Sequence, residues 1–167
     1  LSYDDFISQY DSNKMVAPLN THFQFRKDEF NQLLNGLNGN NVVVVTGKAG
    51  VGKTRLVLEV IKKCSEENGY QLLCVKNRSL EIYDDLVSAT TDRGKYLFFI
   101  DDANELPQLN LIAEYITKEE LGYDIKIIVT VRDYVKDDVI DTIKKYDNPY
   151  TINIQVFTDD EIQEFLK

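Results

Sequence analysis

Three glycines, a lysine and a threonine carry the first chemistry that can be read in this chain. In the stretch Thr46-Gly47-Lys48-Ala49-Gly50-Val51-Gly52-Lys53-Thr54, Gly47, Gly50 and Gly52 lack a Cβ. The backbone there can turn through positive φ and come close to a ligand. Successive N–H groups then face one hollow, and a helix starting just after it adds partial positive charge. The spacing G-x-x-x-x-G-K-T suits a nucleotide's phosphates, with Lys53 reaching the β- and γ-phosphates and the Thr54 hydroxyl on Mg²⁺. Lys48, Ala49, Val51 and Arg55 complete the candidate contact stretch, although the Lys48 side chain sits at a variable position and reads as solvated.

A second motif supplies carboxylates. Phe98-Phe99-Ile100-Asp101-Asp102 is an apolar run ending in acid. Asp101 is placed to hold Mg²⁺, and Asp102 to orient or deprotonate an attacking water. Glu105, one turn further on, is a second candidate base. A third run, Ile127-Ile128-Val129-Thr130-Val131-Arg132, ends in a cation. If its strand lies between the other two motif strands, Arg132 can meet the γ-phosphate through a charge-assisted hydrogen bond. The plainer account of Arg132 is a surface pair with Asp133 or Asp137.

These residues need strands that deliver them to one edge. Five short apolar or β-branched runs read as strands: 42–45, 70–76, 96–100, 125–131 and 151–156. The first and third are continuously apolar, as a strand buried on both faces requires. Between them lie runs of helical period. Phe30, Leu33, Leu34 and Leu37 mark one helix over 26–37, ending near Gly36 or Gly39. Leu56, Val57, Val60, Ile61 and Cys64 mark a second, stopped at Asn68-Gly69. Further helices are expected from Ser79 as N-cap, around Leu109 to Ile116, and around Val135 to Ile143. Thr158-Asp159-Asp160-Glu161 is a capping box, with Phe157 and Ile162 spaced for a hydrophobic staple. Alternating strands and helices imply an α/β fold, a three-layer αβα arrangement on a parallel sheet. Residues 1–22 read as an N-terminal lead-in with at most a short helix, 23–156 as the core, and 157–167 as the start of a helical lid.

The 167 residues carry a formal net charge of −9, with 43% hydrophobic and 28% charged residues. That is ordinary for a globular domain. The acidic balance speaks against a sequence-independent grip on nucleic acid. No apolar run approaches the ~20 residues that span a bilayer, and the first residues resemble no signal peptide. Cys64 and Cys74 have no metal-ligand spacing and read as reduced core residues, and His22 stands alone. A cytoplasmic location and an origin as part of a longer protein are expected.

Taken together, the motifs resemble the STAND class of P-loop NTPases, of AAA+, NACHT and NB-ARC-like type. Phe25-Arg26-Lys27-Asp28-Glu29-Phe30 is similar to the "GRE" box, though Gln24 stands before Phe25 where a glycine would be. Gly47 to Thr54 matches Walker A, Phe98 to Glu105 resembles Walker B, and Ile127 to Arg132 is similar to the sensor strand. Phe157 to Leu166 resembles the first helix of the lid. The resemblance implies a sheet of order 5-1-4-3-2, ATP or ADP with Mg²⁺ as cofactors, and slow hydrolysis serving as a conformational switch. It also implies self-association on activation, fused effector and sensor domains, and a role in signalling or antiviral defence. Arg26 and the Phe157 region are implied to lie near the adenine or the hinge. An AAA+ ATPase, a P-loop small-molecule kinase and a non-hydrolysing nucleotide-binding module are the alternatives. A kinase lid rich in arginine is not evident.

Overall fold

A computed structural model describes residues 1–11, 26–75, 82–103, 108–117 and 123–166. The described elements run α1 (Tyr3–Asp11), α2 (Lys27–Gly39), β1 (Val42–Gly47), α3 (Lys53–Asn68), β2 (Gln71–Val75), α4 (Ile82–Ala89), β3 (Lys95–Ile100), α5 (Leu109–Thr117), β4 (Asp124–Arg132), α6 (Lys136–Lys144), β5 (Tyr150–Ile154) and α7 (Asp159–Phe165). A single 3₁₀ turn over Asp133–Val135 leads into α6. The expected Ser79 cap, Glu105, His22 and Phe25 lie outside the described residues.

All five strands are parallel, in the order β2-β3-β4-β1-β5. This is the expected 5-1-4-3-2 order read from the other side. From β1 the chain crosses to the far edge at β2, then returns through β3 and β4 and passes over β1 to β5. Because parallel crossovers are right-handed, reversing the direction of travel moves the connecting helices to the opposite face. Two cores result. One packs α1, α2 and α3 on Val43, Val45, Leu97, Phe99 and Ile128. The other packs α4, α5 and α6 on Val42, Val44, Phe98, Ile100 and Val129. Successive residues of β1 and β3 therefore feed opposite cores, which is why both runs are apolar throughout.

The N-terminal stretch packs into the first core. Phe6 of α1 is fully buried, its ring edge-on to Phe99 at 5.4 Å between centroids. Leu1 exchanges two backbone hydrogen bonds with Cys74, so the chain covers the free edge of β2. Strand ends differ modestly from the sequence expectation. β5 stops at Ile154 rather than at 156, because its sole neighbour β1 ends at Gly47, the partner of Ile154. The capping box forms as expected: Thr158 N–H donates to Glu161 Oε2 at 2.6 Å, and Glu161 N–H donates to Thr158 Oγ1 at 3.4 Å. Of the two staple positions, Phe157 lies beneath the Arg26 guanidinium and Ile162 is exposed.

Candidate nucleotide site

The sheet topology decides where the motifs meet. β4 lies between β1 and β3, the condition set for Arg132. In register, Gly47 stands beside Arg132 and Ile100 beside Val129. The glycine loop, the acids after β3 and the arginine ending β4 thus share the carboxyl edge of the sheet. In open α/β sheets that edge, at the point where the strand order reverses, is where ligands bind.

The loop itself has the form an anion requires. Gly50 and Gly52 take φ of +78° and +88°, and a Cβ built on either would meet nothing within 4 Å. The backbone there borders open space. α3 begins at Lys53 with no side-chain cap at Gly52 and no acid in its first turn. Its orphan N–H groups are left for an anion. Lys48 and Ala49 are exposed, whereas Val51 is buried against the first core. The Lys53 ammonium donates to the carbonyls of Gly47 at 2.9 Å and Lys48 at 2.7 Å. Partial burial lowers its pKa, against the opposing pull of Asp102 and Asp101. Arg55, on the first turn of α3, is half-buried.

Beside the loop, three oxygens converge. Asp101 Oδ1 accepts from Thr54 Oγ1 at 2.9 Å and from Thr130 Oγ1 at 2.7 Å. Burial pushes the Asp101 carboxyl up, and the two hydroxyl bonds oppose that rise. Both hydroxyls bond to Oδ1. A carboxylate and a hydroxyl are hard oxygen ligands of the kind Mg²⁺ takes, and their contact here fits that ion. Among the described residues no cluster of three or more His, Cys, Asp or Glu forms a separate metal site.

Thr130 was legible in the sequence only as part of the strand before Arg132. In the structure it is buried and organises both acids. Its hydroxyl accepts from Asp102 N–H at 2.9 Å while giving its single proton to Asp101. Asp102 needs that support, because its φ of +55° is a left-handed conformation. Such a conformation costs a non-glycine residue about 1–2 kcal/mol. Thr130→Val keeps the shape and removes the hydroxyl. We expect it to destabilise the fold by about 1–3 kcal/mol in urea unfolding, with most of the loss recovered in Thr130→Ser.

Arg132 Nη2 donates to Asp102 Oδ2 at 3.3 Å, and its Nη1 to the Tyr134 hydroxyl at 3.4 Å. Both members of the Arg132–Asp102 pair are about 40% exposed (39% and 40%), so solvent screens it and it is a weak, exchangeable contact. Arg132 thus pairs with Asp102, a residue of the site. Arg26 is spent on protein groups. It donates to Val51 O, Gln155 O and Glu29, and stacks on Phe157.

Parallel order, glycine loop and Walker-type acids define this molecule as a P-loop NTPase domain. The chain belongs to the Novel STAND NTPase 3 family, whose pattern matches residues 25–167. A search of curated proteins finds no match. Among solved structures it is similar in fold to Cdc6p from Pyrobaculum aerophilum, at TM-score 0.63 and 16% identity over 89% of this chain and 50% of that one. It is likewise similar to the Orc1 protein of Aeropyrum pernix in complex with DNA, at TM-score 0.65 and 14% identity, again over 89% and 50%. Hsp104 bound to ATPγS and casein aligns over 99% of this chain and 32% of its own length, at TM-score 0.61 and 12% identity. The chain spans half or less of these proteins.

Proposed function

We propose that this domain binds ATP or ADP with Mg²⁺ and hydrolyses ATP slowly, as the switch of a longer STAND protein. The convergence of Thr54, Asp101 and Thr130 beside the glycine loop carries this reading. Bound Mg²⁺·ATP would supply the metal and the phosphoryl group. Gly47 to Arg55 would hold the phosphates through backbone N–H groups and the helix terminus. Lys53 would exchange its two carbonyl acceptors for phosphate oxygens. Thr54 and Asp101 would hold the metal, and Asp102 would accept the proton of the attacking water. Arg132 would leave its weak pair with Asp102 for the γ-phosphate, which frees that carboxylate for water.

The wider role rests on family membership: fused effector and sensor domains, self-association when activated, and signalling or defence against phage in the cytoplasm. Among the described residues no helix is long and apolar enough to cross a membrane. Residues 157–167 would form the start of the lid, and 23–156 the core.

The test is calorimetric titration of the protein with Mg²⁺·ATP and with Mg²⁺·ADP. Lys53→Ala removes a charged hydrogen-bond donor, so binding should weaken roughly 10- to 100-fold. No binding to the wild-type chain, or no effect of the substitution, would sink the reading. Release of inorganic phosphate then separates a hydrolase from a binding module, and phosphorylation of an added acceptor would point to a kinase.

A further inference from the structure

Arg26 is built into this fold more firmly than a surface residue preceding a helix requires. It sits in the left-handed region at φ 60° and ψ 36°, although it is not glycine. Its side chain is 6% exposed. Its Nη2 carries two protons and uses both, donating to Val51 O at 3.0 Å and to Gln155 O at 2.8 Å. Nη1 pairs with Glu29 at 3.2 Å, and the guanidinium lies 3.9 Å above the Phe157 ring. Strain at such a position persists only when the surroundings over-determine it. Four contacts do so here, and they come from three separate parts of the chain.

Two of those parts matter for the site. Val51 lies between Gly50 and Gly52 in the phosphate loop. A peptide unit is planar and trans, so its C=O and N–H point in opposite directions. Holding the Val51 carbonyl toward Arg26 therefore aims the Gly52 N–H away from it. Gly52, at φ +88°, has the freedom to let that peptide turn if the carbonyl is released. Gln155 and Phe157 lie in the other part, the short segment joining β5 to α7. One nitrogen thus joins a peptide of the loop to the segment that carries α7.

We propose that Arg26 is a positioning residue that couples the phosphate loop to the β5–α7 segment, so that nucleotide occupancy and the placement of α7 are linked. The nucleotide half of this proposal rests on the function proposed above. If residues 155–157 shift, the guanidinium follows its carbonyl and its aromatic support, and the Val51–Gly52 peptide loses its restraint. Linkage is reciprocal: nucleotide that favours the restrained loop holds 155–157 in place. Lysine keeps the charge but not the planar fork, so it cannot serve both carbonyls and the ring together.

The experiment is amide hydrogen exchange read at Leu56 and at residues 156–162, in the wild-type chain, Arg26→Lys and Phe157→Leu. Each variant is first checked for native melting and near-ultraviolet dichroism. Without nucleotide, Phe157→Leu should speed exchange several-fold at Leu56, whose N–H donates to Gly52 O, although residue 157 lies far from the loop in sequence. Unchanged exchange there overturns the coupling whether or not nucleotide binds. With saturating Mg²⁺·ADP, the wild type should gain protection at 156–162. Arg26→Lys should bind about tenfold more weakly, as expected for one lost charged hydrogen bond, and show no such gain. Equal protection in both overturns the proposal. A wild-type chain that binds no nucleotide defeats the functional reading alone, and the Phe157→Leu arm still decides the coupling. If Arg26→Lys does not fold, the Phe157→Leu chain with and without Mg²⁺·ADP gives the same comparison.

Discussion

Asp101→Asn is expected to lower the proposed Mg²⁺-dependent ATP hydrolysis by at least about 10³-fold, since metal stabilisation of the reacting charge is worth several kcal/mol, yet to leave the nucleotide-free protein as stable as before or more so. The two effects have one cause. Asp101 is a carboxylate placed where burial penalises its charge, so its pKa is raised despite the hydroxyls of Thr54 and Thr130. An asparagine presents the same Oδ1 to both hydroxyls without a charge to desolvate. The pH dependence follows from the direction of the shift. Between the ordinary aspartate value of about 4 and the raised native value, the folded chain holds a proton at Asp101 that the unfolded chain has released. Stability contributed by Asp101 is therefore present at low pH and falls as pH rises through that window. Thermal melting of the nucleotide-free chain across this range should show the fall in the wild type and a smaller one in Asp101→Asn. A variant that melts several degrees lower at neutral pH would show that the carboxylate stabilises the fold, contrary to this account.

Gly47→Ala is expected to damage the fold itself, and Gly50→Ala the nucleotide binding proposed above. A Cβ on Gly47 would sit 2.6 Å from the backbone oxygen of Ile154 and 3.2 Å from the Val51 side chain. The oxygen belongs to β5, hydrogen-bonded neighbour of β1, and cannot turn aside as a side chain does. Inserting a methyl into such a place costs about 1–3 kcal/mol. The positive φ of 154° adds to it. For a domain of this size, that amounts to a fall of several degrees in Tm, on the order of 3–10 °C. Gly50 faces open space, so its alanine variant bears only the backbone strain of φ +78°, about 1–2 kcal/mol. Its methyl, however, would occupy the hollow where phosphate is expected. Differential scanning calorimetry with and without Mg²⁺·ADP separates the two: Gly47→Ala melts low in both conditions, and Gly50→Ala loses most of the upward shift that nucleotide gives. Equal melting temperatures for Gly47→Ala and wild type would refute the steric argument.

Much of this molecule follows from local pattern. The apolar runs at 42–45 and 96–100, the helical period after the loop and the capping box at Thr158 each reflect chemistry within a few residues, and each appears where it is expected. Glycine spacing is equally local, because only glycine turns through positive φ beside an anion at so small a steric cost. Three features could not be read that way. Thr130 organises Asp101 and Asp102 only because β4 is inserted between β1 and β3, and strand order is a property of crossovers. Phe6 is a core residue in a stretch with no clear period, since the short α1 turns only Tyr3, Phe6 and Ile7 toward the core, too few to stand out among its polar residues. Arg26 and Phe157, 131 positions apart in the chain, stack on each other, a contact that neither residue's local sequence announces. Elements, glycine loop and acids can be read from residue type and short spacing alone. Which hydroxyl orders the acids, and which arginine bonds both Val51 and Gln155, depends instead on sheet packing that brings together residues far apart in the chain.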